Sequence, residues 1–170
     1  KYGFGKKTGF TLKREETGNI DYSYQIEAAT AGYGQGITTT PIQHIQALTA
    51  LTNDGIMLKP YIVDRIVDSD TKKIITKNER QEEGQIVSTD TVAKMKELMA
   101  SVVNGTKETS TGSAYYMDGY SLIGKTGTAQ IFDYSKGEYM KGDSDYIYSF
   151  SGIFPEENPK IILYAAIKRP

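Results

Sequence analysis

Residues 124–130, with the sequence Gly-Lys-Thr-Gly-Thr-Ala-Gln, are the part of this chain best suited to chemistry. They lie in a strand-like run that is followed by a Tyr-rich turn and a second strand-like run. The Lys125 ammonium and the Thr126 hydroxyl could face a carboxylate ligand, and Gly127 lacks a Cβ, so an acyl group could lie against its backbone. The alternative is an ordinary edge strand whose solvent-facing lysine discourages aggregation.

Two downstream segments predict the strands that would lie beside this one. Residues 146–155 alternate polar and apolar side chains, whereas residues 160–167 form a nearly continuous apolar run between Pro159 and Pro170. The first pattern predicts a half-buried strand, and the second predicts a strand that is buried on both faces. Together with residues 124–130, they predict a three-stranded antiparallel meander.

Two helices are predicted before these strands. The first covers residues 40–54, with Thr40 as N-cap, Pro41 at the first helical position and Gly55 after the end. The second covers roughly residues 89–103 and stops at an Asn-Gly pair. The residues expected to face inward are Ile42, Ile45, Leu48 and Leu51 in the first helix and Val92, Met95, Leu98, Met99, Val102 and Val103 in the second.

The remaining segments predict loops and one hairpin. Residues 1–39 are rich in Gly, Thr and charge with little periodicity, which predicts mostly extended or looped chain. Residues 61–67 and 74–76 flank a polar turn and predict a surface hairpin. The order of helix, hairpin, helix and meander predicts an α+β domain with helices against an antiparallel sheet.

Length and composition restrict the classes of function. A chain of 170 residues is about one domain, and its formal charge of −1 argues against a nucleic acid or an anionic membrane as the main partner. The absence of cysteine excludes disulfides, zinc–thiolate sites and thiol nucleophiles. The longest apolar run, residues 161–167, is too short to cross a membrane, and the first residues are neither a start methionine nor a signal peptide, so we expect a soluble chain with a cut N-terminus.

Residues 119–126 match the phosphate-binding loop pattern G-x-x-x-x-G-K-[ST]. Such a loop needs a buried strand before its first glycine and a helix after its Ser or Thr, so that amides at the helix N-terminus hold the phosphate. Residues 113–118 are not an apolar strand, and residues 127–132 are a poor helix start. A nucleotide site is therefore disfavoured.

Ser69 and Lys72 match the Ser-x-x-Lys spacing of a serine nucleophile and its base. That chemistry needs the serine at the start of a helix and an uncharged lysine one turn later on the same face. The segment instead predicts a solvated turn in which Asp68 and Asp70 would keep the lysine protonated. We interpret the match as accidental.

His44 and the tyrosines allow two further interpretations. His44 is the only histidine, with no cysteine and no spaced carboxylate cluster around it, so we predict a structural position on a helix face rather than a metal or Ser-His-Asp role. Tyr134 and Tyr139 belong to a Tyr-rich excursion next to residues 124–130 and are predicted to line a groove there.

Five blocks of the sequence carry a resemblance to a known family: residues 3–9, 34–43, 53–55, 124–130 and 149–155. They occur in the order typical of class B penicillin-binding proteins, and the chain resembles that family over essentially its whole length. The resemblance implies that residues 1–170 are the C-terminal portion of a D,D-transpeptidase domain with the penicillin-binding protein, or serine β-lactamase-like, fold. Such domains cross-link peptidoglycan stem peptides through an acyl-serine and are acylated by β-lactams. The Ser-x-x-Lys and Ser-x-Asn segments and a terminal helix are then expected outside this chain.

The resemblance also implies roles for the residues of the Lys-Thr-Gly segment. Lys125 and Thr128 would be catalytic, since the lysine supplies positive potential and the Thr128 backbone N–H forms half of an oxyanion hole. The hydroxyls of Thr126 and Thr128 would hydrogen-bond the carboxylate of a D-Ala-D-Ala stem peptide or of a β-lactam. Gly127 would keep the strand open, and Gln130 would continue the edge along which an acyl chain pairs.

No cofactor and no metal are implied. The implied partners are the stem peptide, β-lactams, the remainder of the transpeptidase domain and cell-wall synthesis proteins, outside a cell membrane that is reached by a single-pass anchor beyond this chain. Without that remainder we expect no activity and exposed apolar faces, such as residues 161–167.

Two other functions stay open at this point. One is a β-lactamase or β-lactam sensor domain of the same superfamily, which would not be expected to carry the Gly-Gln-Gly and Thr-Pro-x-Gln arrangement. The other is a non-catalytic module that binds peptidoglycan or a divisome partner, because the decisive serine lies outside the chain.

Overall fold

The computed structural model describes residues 1–10, 14–106 and 108–169. Pro170, which bounds the predicted last strand, and residues 11–13 of the predicted loop region lie outside the described residues. The helices are α1 (Gln25–Ala31), α2 (Pro41–Thr52) and α3 (Thr89–Asn104), with a 3₁₀ turn at Ser113–Tyr115. The strands are β1 (Ile56–Leu58), β2 (Arg65–Val67), β3 (Ile74–Lys77), β4 (Glu82–Gln85), β5 (Ile123–Gln130), β6 (Phe132–Asp133), β7 (Glu138–Tyr139), β8 (Tyr146–Phe154) and β9 (Ile161–Lys168).

The main sheet contains β5, β8 and β9 in that spatial order, and both pairings are antiparallel. Lys125 pairs with Ser151 and Gly127 with Ser149, so the register is continuous along the whole of β5. The predicted three-stranded meander is confirmed. It places residues 124–130 at one border of the sheet.

Helices α2 and α3 cover one face of this sheet. Met99 of α3, Ile123 of β5 and Ile153 of β8 form the buried core cluster. Burying an apolar side chain of this size contributes about 1.5–3 kcal/mol. The predicted α+β architecture, with helices against an antiparallel sheet, is therefore confirmed. Partly buried residues that pack against the cluster are Leu48, Leu51, Ala100 and Ile162.

Helix α2 begins where the sequence predicts, but its most buried residues are not those of the predicted apolar stripe. Thr40 caps the helix, and its hydroxyl accepts a hydrogen bond from the Gln43 backbone N–H. The predicted stripe of Ile42, Ile45, Leu48 and Leu51 is only partly buried, and the fully buried residues are Gln43, Gln46 and Ala50. Leu48 and Leu51 pack against the core cluster as predicted, but the stripe missed the most buried positions because it counted apolar side chains only. The Gln43 amide nitrogen donates to the backbone oxygens of Lys6 and Thr17 at 2.7 and 2.8 Å, so a polar residue is satisfied in the interior.

Helix α3 covers almost the predicted range and is capped by Ser88, whose hydroxyl accepts from the Thr91 N–H. Val92, Met99 and Val103 are buried. The inward positions predicted for Met95 and Leu98 were wrong, since these side chains are 40% and 62% exposed. A helix on one face of a sheet buries a narrow stripe, and these two residues lie outside it.

Several short elements were missed. The described part of residues 1–39 is mostly without helix or strand, as predicted, but the prediction missed helix α1, which has no buried residue. The Glu27 side chain starts the helix by accepting hydrogen bonds from the backbone N–H groups of Ser23 and Tyr24 at 2.6 and 2.9 Å. Strands β1 and β4 pair with each other, and the acidic β4 lacks any strand-like pattern.

The predicted surface hairpin is confirmed in a shorter form. Strands β2 and β3 pair antiparallel around the polar turn, with an irregularity in register between Ile66 and Val67. Every residue of both strands is exposed. The hairpin therefore stands apart from the main sheet, and residues 61–64 do not extend β2.

Strand β9 is not buried on both faces, as the apolar run predicted. Ile162 and Tyr164 are partly buried, whereas Ile161, Leu163 and Ile167 are 58%, 53% and 60% exposed. Ile162 and Tyr164 lie on the face of the sheet that α2 covers, whereas the exposed residues lie on the opposite face, so β9 is buried on one side only. The exposed set agrees with the expectation of bare apolar faces. Among the described residues, no helix is both long and apolar enough to cross a membrane.

Candidate active site

Strand β5 is an edge strand in the described part of the chain, because only β8 pairs with it there. Its side chains alternate between the two faces of the sheet. Lys125 and Gly127 share a face with the buried Ile123, on the side of the helices, and Thr126 and Thr128 lie on the other face. Lys125 and Thr128 are exposed. The predicted site residues are thus neighbours along one accessible border of the sheet.

Thr126 has a partner that the sequence did not indicate. The hydroxyl oxygens of Thr111 and Thr126 are 2.7 Å apart, within hydrogen-bond distance. Thr111 is in the turn after α3, a segment without periodic pattern, and no local signal connects it with β5. Thr111 is therefore a candidate site residue that sequence reasoning missed.

The end of α3 holds Thr111 in place. The Ser110 hydroxyl and the Gly112 backbone N–H both donate to the carbonyl oxygen of Val102, the second of these bonds at 2.9 Å. A Cβ at Gly112 would lie 2.8 Å from the same oxygen, so only glycine fits this turn without a shift. Thr111, between these two anchored residues, is fixed relative to β5.

The Lys125 ammonium is held by its own strand. Its Nζ donates to the backbone oxygen of Thr126 at 2.6 Å. In the described residues no carboxylate forms an ion pair with it. An exposed cation without a counter-charge attracts an anionic ligand to this edge.

Gly127 faces a serine on the neighbouring strand. A Cβ at Gly127 would lie 2.5 Å from Oγ of Ser149, which pairs with it in the register. The absence of a side chain at Gly127 leaves room for this hydroxyl, a role that the sequence did not indicate. Ser149 joins Thr111 as a residue near the site that was missed.

Beyond Gln130 the edge continues into a small hairpin. Strands β6 and β7 pair through Phe132 and Tyr139, and the buried Ile131 links β6 to the end of β5. The Tyr139 hydroxyl accepts a hydrogen bond from the Gly36 backbone N–H at 3.1 Å. Tyr134 is 79% exposed. That these tyrosines line a groove stays a prediction.

The phosphate-loop pattern has the wrong structure for nucleotide binding. Residues 123–130 are one strand, and no helix follows Thr126 in the described residues near it. Residues 116–122, before the strand, have neither helix nor strand structure. The described residues around the pattern therefore lack the strand–loop–helix arrangement that a phosphate-binding loop needs.

Ser69 lies in the exposed turn between β2 and β3, not at the start of a helix. The Lys72 ammonium donates to the backbone oxygen of Ser69 at 2.8 Å instead of approaching its hydroxyl. The Ser-x-x-Lys spacing is therefore accidental, as interpreted.

His44 has a structural environment. Its ring stacks on Tyr164 at 4.8 Å and contacts the Phe4 ring edge-on at 5.2 Å, and its Nε2 lies 2.8 Å from the hydroxyl oxygen of Thr39. Burial lowers the pKa of His44, which favours the neutral imidazole. The predicted structural role is confirmed. Among the described residues, no three potential metal ligands lie together.

Comparison with known proteins decides the family. Residues 1–170 match the family described as the penicillin binding protein transpeptidase domain. The chain belongs to this family. Its relatives include Stage V sporulation protein D of Bacillus subtilis (strain 168), which is 35% identical over 172 residues and matches 99% of this chain. The peptidoglycan D,D-transpeptidase FtsI homolog of Mesostigma viride is 32% identical over 87% of the chain. The resemblance to class B penicillin-binding proteins is thus confirmed.

Solved structures of penicillin-binding proteins share the fold. Penicillin-binding protein 2X from Streptococcus thermophilus superposes with a TM-score of 0.89 at 29% identity, over 99% of this chain and 25% of that one. Penicillin-binding protein 3 from Mycobacterium tuberculosis, solved in complex with aztreonam, has a TM-score of 0.88 at 27% identity, over 99% of this chain and 38% of that one. The predicted transpeptidase fold is confirmed.

The chain spans 25% of the length of each of the two curated relatives. In the penicillin-binding protein family the region described here is therefore one part of a longer molecule.

Proposed function

We propose that the protein containing this chain is a peptidoglycan D,D-transpeptidase, and that residues 1–170 form the C-terminal portion of its transpeptidase domain. The observation that carries the proposal is edge strand β5, on which Lys125, without an ion-pair partner among the described residues, is followed by Thr126, Gly127 and Thr128. The relative from Mesostigma viride, which is named as such an enzyme, supports it.

The threonine hydroxyls bind the C-terminal carboxylate of a D-Ala-D-Ala stem peptide, or the carboxylate of a β-lactam. A threonine hydroxyl carries one proton and two acceptor lone pairs. If the Thr111 hydroxyl donates to Thr126, the proton of Thr126 stays free for the ligand. Thr128 adds a second donor on the same face, and Lys125 adds positive potential.

The reaction passes through an acyl-serine. A serine from the remainder of the domain attacks the carbonyl carbon of the penultimate D-Ala, and the terminal D-Ala leaves with the proton that its amine requires. The amine of a second stem peptide then attacks the acyl-serine, which forms the cross-link and releases the serine. The Thr128 backbone N–H stabilises the negative charge on the carbonyl oxygen in both steps. A β-lactam acylates the same serine by opening its ring.

The edge of β5 aligns the acyl donor. An extended peptide can pair with the free border of the sheet from Gly127 to Gln130. Gly127 contributes no side chain at this border, and among the described residues the Ser149 side chain is the one that a Cβ there would meet. Replacing Gly127 by Ala is expected to obstruct the ligand and to displace the Ser149 hydroxyl.

The proposal includes the cellular setting that the family implies. The whole protein would be held by a single-pass membrane anchor outside residues 1–170, with the transpeptidase domain on the extracytoplasmic side. Its partners there would be stem peptides, β-lactams and other proteins of cell-wall synthesis.

A fluorescent penicillin tests the proposal on the intact protein. We expect one covalent label, and peptide mapping should place it on a serine outside residues 1–170. Lys125→Ala should slow labelling by tenfold or more, since the strand edge loses an exposed cation that has no ion-pair partner among the described residues. Lys160→Ala, which removes an exposed lysine just before β9 at the opposite border of the sheet, is the matched control and should label at the wild-type rate.

Three results would contradict the proposal. Label on Ser69 would overturn the rejection of that motif, and no label on a folded protein would favour a non-catalytic module. Rapid hydrolysis of the penicillin without accumulation of label would favour a β-lactamase.

A further inference from the structure

Tyr139 connects two segments that are far apart in the chain. Its hydroxyl accepts a hydrogen bond from the Gly36 N–H at 3.1 Å across 103 residues of sequence. In the described residues, this is the one hydrogen bond between the hairpin at 131–141 and the Gly-rich loop at 32–38. The contact is therefore a specific tether between these two segments.

Each side of the tether is anchored to a rigid element. On the hairpin side, the Met140 N–H donates to the Ile131 oxygen at 2.9 Å, directly after the last residue of β5. On the loop side, Thr38 and Asn19 exchange two backbone hydrogen bonds of 2.8 Å, and the Thr40 cap of α2 follows two residues later. The tether thus fixes the distal end of β5 relative to the segment that enters α2.

The Tyr139 ring has a second contact that is independent of its hydroxyl. It meets the Phe132 ring edge-on at 5.2 Å within the hairpin. A phenylalanine at this position keeps that contact and removes only the hydrogen bond to Gly36. Tyr139→Phe therefore tests the hydrogen bond to Gly36 without removing the ring contact between residue 139 and Phe132.

We infer that Tyr139 is a positioning residue, whose hydroxyl holds the hairpin where the distal part of an acyl donor lies after it has passed Gln130. The inference rests on the proposed function, because it needs a peptide that pairs along β5. It predicts that the tether acts on long donors and not on ligands that occupy only the carboxylate end of the strand.

The experiment compares Tyr139→Phe with the wild type in the intact protein. The substrates are a stem pentapeptide and a shortened tripeptide, both ending in D-Ala-D-Ala, and the readout is exchange of the terminal D-Ala for a fluorescent D-amino acid. A net hydrogen bond contributes about 0.5–1.5 kcal/mol, so KM for the pentapeptide should rise about two- to tenfold. The KM for the tripeptide and kcat for both should change less than twofold.

Hydrogen exchange on the same variant supplies an independent readout. Amide exchange should become faster in both residues 32–38 and residues 132–139, because each loses the same contact. Tyr33→Phe is the matched control, since Tyr33 lies in the Gly-rich loop at 32–38, is 72% exposed and has no assigned part in the site. It should leave both kinetics and exchange unchanged.

If the ratio of the Tyr139→Phe KM to the wild-type KM is the same for the two peptides, the positioning role is overturned. Faster amide hydrogen exchange in the hairpin alone would overturn the tether. A wild-type protein that neither exchanges D-Ala nor reacts with penicillin would overturn the proposed function and the substrate role with it. The comparison of amide hydrogen exchange between Tyr139→Phe and the wild type would still decide whether the tether exists.

Discussion

At the scale of single residues, the site depends on hydroxyl groups whose partners come from other elements. Thr126 belongs to the motif that the sequence reveals, yet its hydroxyl lies 2.7 Å from that of Thr111 in the turn after α3. Gly127 stands opposite Ser149 of β8. The motif therefore identifies one strand of the candidate site. The residues that contact this strand, Thr111 and Ser149, are brought to it by the tertiary structure.

Replacing Thr111 by Val tests this arrangement. The substitution keeps the shape of the side chain and removes the hydroxyl that lies within hydrogen-bond distance of Thr126, so the second-order rate of acylation by penicillin in the intact protein should fall about three- to tenfold. Stopped-flow or quenched labelling measures that rate. Thr89→Val, which removes an exposed hydroxyl at the start of α3, is the control. Equal rates for Thr111→Val and the wild type would show that Thr126 needs no partner.

At the scale of elements, α2 is positioned by a polar side chain. The buried Gln43 amide donates to the Lys6 and Thr17 oxygens, and its own oxygen accepts from the Thr40 N–H at 3.0 Å. One side chain thus closes the helix N-terminus and fastens the preceding chain to it. The Thr-Pro-x-Gln pattern, which the sequence offers as a family mark, has this physical basis.

Gln43→Leu should destabilise the domain. Up to three backbone groups lose their partner, and a buried unsatisfied group costs about 1–3 kcal/mol, so we expect a loss of about 2–4 kcal/mol in the free energy of unfolding. Denaturant melting of the intact protein measures it as a lower midpoint with an unchanged slope. Gln25→Leu on α1, a helix with no buried residue, should have little effect. A Gln43→Leu midpoint within error of the wild type would refute this account.

At the scale of the whole molecule, the face of the main sheet opposite α2 and α3 is apolar, and the described residues cover it only in part, where the Tyr115 ring stacks on Phe150. It forms a groove of about 690 Å³, lined mainly by aromatic and aliphatic side chains. Exposed apolar surface of this extent is unfavourable in water and promotes association. Residues lining the groove include Tyr115, Tyr120, Phe154, Ile161, Leu163 and Ile167.

The 170-residue chain expressed alone should therefore self-associate and bind an apolar dye. Leu163→Lys should reduce both effects, because it places a charge in the groove. Ile75→Lys is the matched control, since Ile75 is 64% exposed on the separate hairpin and does not line the groove. Light scattering and dye fluorescence measure the outcome. A monomeric chain with a cooperative melt and no dye binding would contradict this expectation.

The sequence by itself determined α2, α3, the three-stranded meander and the Lys-Thr-Gly-Thr segment. These features depend on local signals: caps, periodic apolar residues, and charged or hydroxylated side chains next to each other. The buried face of α2, the exposed face of β9 and the contacts of Thr126, Gly127 and Tyr139 were decided by the tertiary structure. These contacts join residues as far apart as 103 positions, so they depend on strand register and on the packing of helices against the sheet. Strand register and helix packing cannot be read from the local pattern of residues, because both depend on segments that are distant in the sequence.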